Sequence, residues 1–147
     1  MKLTLRILSA VLFAMITVNA TRAQSQTGVI FFDHTRVAEA FKKAEVLVAA
    51  DAYRIHAGFR DKAGVPELHN FHLDIFYVTE GTATFITGGT LVDPHVTGPG
   101  ETQAKEIIGG ETRTLTVGDV IVIPANVPHW FKDTSKSFKY FVVKVKT

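Results

Sequence analysis

The chain has 147 residues, no cysteine, and 16 Lys plus Arg against 14 Asp plus Glu. Without cysteine there is neither a disulfide framework nor a thiolate nucleophile, so the fold must hold by packing alone. The small basic excess gives no case for nucleic acid, because it resides in the N-terminal segment considered next.

Lys2 and Arg6 precede an apolar run from Ile7 to Val18, and the small residues Ala20 and Ala23 follow. That order of charged, apolar and small-residue segments predicts a secretory signal peptide over residues 1–23. The run is too short to span a bilayer comfortably. A mature chain is then expected to begin near Gln24, periplasmic or secreted, with no membrane association after cleavage. Loss of Lys2, Arg6 and Arg22 leaves 13 basic residues against 14 acidic. A near-neutral chain with no basic run argues against a nucleic-acid partner. Residues 24–147 are enough for one domain with a real core.

Within that domain only Asp33 to about Lys43 reads as helix. Asp33 can cap it, and Val37, Ala40 and Phe41 fall at i, i+3, i+4 spacing; His34 belongs to its first turn. The rest is β. Val46 to Ala49 is a short apolar strand, and Tyr53 to Phe59 alternates. Ile75 to Val78 and Ala83 to Ile86 flank Glu80-Gly81, a predicted hairpin turn. Leu115 to Val117, Val120 to Ile123 and Phe138 to Val145 add strands, separated by Gly118-Asp119 and by the Pro124 to Pro128 turn. Many short strands punctuated by Gly and Pro predict an all-β sandwich or barrel. The 19 residues from Thr90 to Ile108, between two Gly-Gly pairs, are long for a loop. They read either as a lid or dimer-contact segment, or as an extension of the hairpin. His95 within them reads as a solvent-exposed loop residue.

The chemistry concentrates in two stretches. Glu67 and His69 are two apart, so on a strand they face the same way. If Asn70 to Leu73 form a turn, Asp74 opens the next antiparallel strand and can lie beside His69. His129 follows a Pro-containing turn that can bring it to the same place. Two imidazoles and two carboxylates suit a divalent first-row metal with positions left open for water or substrate. Arg54, His56 and Arg60 share a strand face, either solvated or bordering the interior, where it could bind an anionic substrate. Phe76, Tyr77, Phe131 and Tyr140 read as packing. Trp130, beside His129, is the candidate for a pocket wall. No G-x-S-x-G elbow or phosphate-binding glycine loop is present.

These two stretches resemble the motifs of the cupins, G-x5-H-x-H-x3,4-E-x6-G and G-x5-P-x-G-x2-H-x3-N. The first falls on Asp61, Glu67, His69, Asp74 and Gly81, the second on Gly118, Pro124, Asn126, His129 and Asp133. The spacing matches throughout, and the resemblance covers about Tyr53 to Val145. It implies a single jelly-roll β-barrel with a short N-terminal helix and one divalent metal ion (Fe, Mn, Zn or Ni). The implied ligands are Glu67, His69, Asp74 and His129. It also implies a homodimer and a small-molecule ligand or substrate. Five motif positions depart: Asp61 and Asn126 stand for glycines, Glu67 for histidine, Asp74 for glutamate, Asp133 for asparagine. The register leaves His72 in the turn between strands, as the candidate for proton transfer. Two functional expectations follow: an exported metal-dependent enzyme of oxygenase, isomerase or decarboxylase type, or a barrel that binds a small ligand without chemistry.

Overall fold

The computed structural model describes residues 28–147, so the expected signal segment lies outside the described residues. One helix, α1 (His34–Lys43), precedes thirteen strands: β1 Val46–Ala49, β2 Tyr53–Arg60, β3 Glu67–His69, β4 His72–Glu80, β5 Ala83–Thr87, β6 Thr90–Val92, β7 His95–Gly98, β8 Glu101–Gln103, β9 Glu106–Ile108, β10 Glu111–Leu115, β11 Val120–Ile123, β12 His129–Thr134 and β13 Phe138–Lys146. Asp33 caps α1 by accepting the Arg36 amide at 2.8 Å. Ala44 ends it in the left-handed conformation, and Lys42 and Lys43 in the last turn suit the helix dipole. The helix buries Ala40 and Phe41 against Ala57, Leu47 and Phe141 on the outside of a sheet.

All strand pairs are antiparallel. One sheet runs β1-β2-β13-β4-β11, the second β10-β5-β12-β3-β8-β7, and β6-β9 form a short ribbon. The two large sheets pack face to face as a jelly roll. Alternate residues of β4 (Phe76, Val78), β5 (Ala83, Phe85), β12 (Phe131) and β13 (Phe138, Tyr140, Val142) form the core between them. Phe131 packs at a tilt against Phe85, 4.5 Å between ring centroids, and meets Phe76 edge-on at 5.5 Å. Each buried aromatic of this kind contributes roughly 1.5–3 kcal/mol.

Three expectations need correction. Glu80-Gly81 does not close a hairpin, because β4 pairs with β11 and β13 while β5 pairs with β10 and β12. The turn carries the chain from one sheet to the other, with Gly81 at φ +77° against the Ser137 backbone, where a Cβ would not fit. Likewise β3 and β4 lie in different sheets, so Asp74 approaches His69 across the interior and not along a shared ladder. The strand expected at Leu115 to Val117 ends at Leu115, because Thr116 and Asp119 close a turn through Asp119 N–H to the Thr116 carbonyl at 3.0 Å.

The long insert is an extended hairpin. β6 pairs with β9, and beyond it β7 and β8 fold back so that β8 pairs with β3, His69 opposite Glu101. Among the described residues no helix is long and apolar enough to cross a membrane.

Candidate metal centre

Alternation on three strands aims one set of side chains at the same end of the interior. His69 is buried on β3, Asp74 on β4 and His129 on β12, and Glu67 is half-buried two residues before His69. The ligand atoms of Glu67, His69 and His129 lie within 4.8 Å of one another, a group that could hold a metal ion. Asp74 lies beside it, Oδ2 being 3.5 Å from His69 Nε2 and 3.8 Å from His129 Nε2.

The imidazoles are oriented by their outer nitrogens. His69 Nδ1 is 2.5 Å from Glu101 Oε2 on β8, and His129 Nδ1 donates to the Val127 carbonyl at 3.1 Å. Both therefore turn Nε2, with its lone pair, toward the carboxylates, as metal-binding histidines do when a carboxylate or carbonyl fixes the tautomer. Burial pushes the His129 imidazole down to about 4, so it stays neutral. Asp74 Oδ1 is buried with no hydrogen-bond partner. Two aimed lone pairs, a half-buried carboxylate and an orphaned carboxylate oxygen fit a divalent cation.

Two members of this cluster carry no motif signal. Glu101 comes from the insert, and nothing in its spacing connects it to His69. Lys144 Nζ lies 2.8 Å from His69 Nε2 and 2.6 Å from Asp74 Oδ2. Counting in twos from Phe138, Tyr140 and Val142 along β13 reaches Lys144, so alternation could have found it.

His72 is the first residue of β4, not a turn residue, and faces the same interior as Asp74. Its Nδ1 is 3.7 Å from Glu101 Oε1. Burial first, then the Lys144 charge, lowers its affinity for a proton. Of Arg54, His56 and Arg60, the last two border the interior and Arg54 is exposed at the end of the row: their neighbour Gly58 abuts the Tyr140 ring, and Arg60 donates to the Tyr140 hydroxyl at 3.1 Å and lies over Phe131. His56 Nε2 is buried without a partner.

Trp130 points away from the site. Alternation with His129 and Phe131 sends it to the other face, where Nε1 donates to the Gly64 carbonyl at 2.9 Å. His34 and His95 are exposed. Asn126 has φ +66°, a conformation glycine and asparagine adopt most readily. Its amide donates to the His69 carbonyl at 2.8 Å, so this departure from the motif preserves the turn. Asp133 is exposed and accepts from the Thr134 amide, and Asp61 is exposed in a loop, so neither reaches the site.

The solved structure of BH2720 from Bacillus halodurans has the same fold, with TM-score 0.58 at 14% identity over 84% of this chain and 86% of that one. The DMSP lyase DddQ from Ruegeria pomeroyi aligns at TM-score 0.46 and 17% identity over 66% of this chain, which spans only 40% of the lyase. KdgF from Halomonas sp. aligns at 0.48 and 18%, over 70% of this chain and 78% of that one. No curated protein matches the chain in sequence. The Cupin family model matches residues 64–147, which span the histidine-bearing strands and most of both sheets, and the chain therefore belongs to the cupin family.

Proposed function

We propose that this protein is an exported, metal-dependent cupin enzyme acting on a small organic molecule, with oxygenase, isomerase or decarboxylase chemistry. The observation that carries the reading is the pair of Nε2 atoms, fixed by Glu101 and by the Val127 carbonyl, that converge with Glu67 on one buried point. Glu67, His69 and His129 would hold the ion, which when bound supplies Lewis-acid polarisation of a substrate oxygen. Asp74 holds negative charge at the centre. His72, neutral and lining the adjacent cavity, is placed to take or return a proton at its imidazole. Export rests on the order of charged, apolar and small residues at the N-terminus, and a homodimer is expected of the family.

A binding barrel without turnover is the second reading, and one observation favours it. The Lys144 ammonium already provides a cation between His69 and Asp74, so the buried Asp74 carboxylate has a partner without a metal. Elemental analysis of the purified mature protein, alongside turnover assays on phenolic, keto-acid and sugar substrates, separates the two. Stoichiometric metal lost in His69→Ala and His129→Ala, with turnover, supports the enzyme. Stoichiometric metal without turnover favours the binding barrel, and metal retained in both variants removes the site.

A further inference from the structure

A cavity of about 600 Å³ opens beside the metal centre, within the range of small-molecule sites. Its wall carries three cations, Arg54, Lys144 and Lys146, together with His72 and Phe71, and one acid, Asp51. Strand register puts them there. Arg54, Lys144 and Asp74 form a cross-strand row through β2, β13 and β4, and Lys146 and His72 form the next row outward.

Two features of this wall are costly unless something occupies the cavity. Arg54 lies directly opposite Lys144 on paired strands, and like charges so placed destabilise a sheet. Lys144 is compensated by Asp74 at 2.6 Å. Arg54 and Lys146, among the described residues, are in no ion pair. Phe71 is 52% exposed. Its ring packs on the Gly100 backbone of the insert, where a side chain would collide with it, and it stands on the cavity wall.

We propose that this cavity binds an organic acid, its carboxylate held by Arg54 with Lys144 and Lys146, and its apolar or aromatic body against Phe71. Arginine offers a carboxylate two parallel N–H donors, which lysine cannot. Binding itself requires no metal. The orientation, with the acid's remaining atoms directed past His72 toward Glu67, His69 and His129, rests on the metal-centre reading above.

Isothermal titration of the mature protein with phenylacetate, phenylpyruvate and 4-hydroxybenzoate tests it, with phenylacetamide as the uncharged counterpart. At least one acid is expected to bind saturably, and phenylacetamide to bind about tenfold or more weaker than phenylacetate. Arg54→Gln and Phe71→Ala should each weaken acid binding about tenfold, with melting temperature preserved because both side chains are largely exposed. The same titrations on the His69→Ala/His129→Ala double variant separate this proposal from the metal reading, since acid binding through the basic wall survives loss of the metal. Absence of saturable binding by all three acids overturns the proposal. So does equal affinity for amide and acid, or acid binding that disappears with the metal and ignores Arg54→Gln.

Discussion

Lys144 Nζ lies 2.6 Å from Asp74 Oδ2, and the two residues are register partners on adjacent strands. Asp74 is 2% exposed, so this ammonium is what permits a fully buried carboxylate at the centre in the absence of a metal. It also blocks donors, because the same Nζ is 2.8 Å from His69 Nε2. Entry of a metal would therefore require Lys144 to swing toward the cavity it lines.

Replacing Lys144 with methionine should move two quantities in opposite directions. The metal-free variant should lose about 3–5 kcal/mol of stability, the cost of a buried carboxylate without its partner. Its zinc affinity should rise, by about tenfold or more, since a positive charge within a few ångströms of the ion is gone. Denaturant unfolding with and without zinc measures both. Unchanged zinc affinity would show that Lys144 does not compete.

Glu101→Ala removes the carboxylate that fixes the His69 tautomer. A lost partner of this kind costs about 10–100-fold in metal affinity. Fold stability should change little, because Glu101 is 38% exposed and its strand pairing does not need the side chain. A competition titration with a chromogenic chelator reads the change, and parity with wild type would remove Glu101 from the centre.

Acid should destabilise the metal-free protein through His129. Its folded value is about 4, lowered first by burial and also by His69 and Lys144, against the pull of the Val127 carbonyl and Asp74. Between pH 6.5 and about 4 the unfolded chain binds a proton that the folded one does not, so stability is full above about 6.5 and falls as pH drops toward 4. The loss from this group is on the order of 3 kcal/mol. Unfolding measured at pH 7, 5.5 and 4.5 should show the slope in wild type and a smaller one in His129→Asn; equal slopes would assign it elsewhere.

Asn126 can be tested by a pair of substitutions. Asn126→Gly keeps the left-handed φ without strain and should be near neutral. Asn126→Ala should cost about 1–2 kcal/mol. Both variants lose the exposed 2.7 Å bond from Asn70 Nδ2 to Asn126 Oδ1, so the difference between them reports the backbone. Thermal unfolding of the two variants gives the difference, and equal stability would mean that the turn is held by the Asn126 amide bond to His69 alone.

The helix with its Asp33 cap and most strand positions could be read in the sequence, because each depends on local spacing: 3.6 for the helix, two for the strands; that His69 and His129 meet, with ring centroids 5.0 Å apart, was legible only through the resemblance of the two stretches to the cupin motifs. Which strands pair could not be read there. Glu80-Gly81 has the composition of a hairpin turn, yet it links two sheets, since pairing is decided by contacts far along the chain. Glu101 was hidden for the same reason: β8 meets β3 across more than thirty intervening residues. Trp130 shows the opposite case, where alternation applied one residue past His129 already directs it away from the site.

Glu67, His69 and His129 are proposed to hold one metal ion. Inductively coupled plasma mass spectrometry on freshly purified mature protein, with His69→Ala and His129→Ala prepared in parallel and shown to be folded by circular dichroism, tests it most directly. Close to one divalent metal per chain is expected in the wild type and a small fraction of that in either variant. Metal-free wild type that takes up no added zinc, iron, manganese or nickel, or full metal content in both variants, would contradict it.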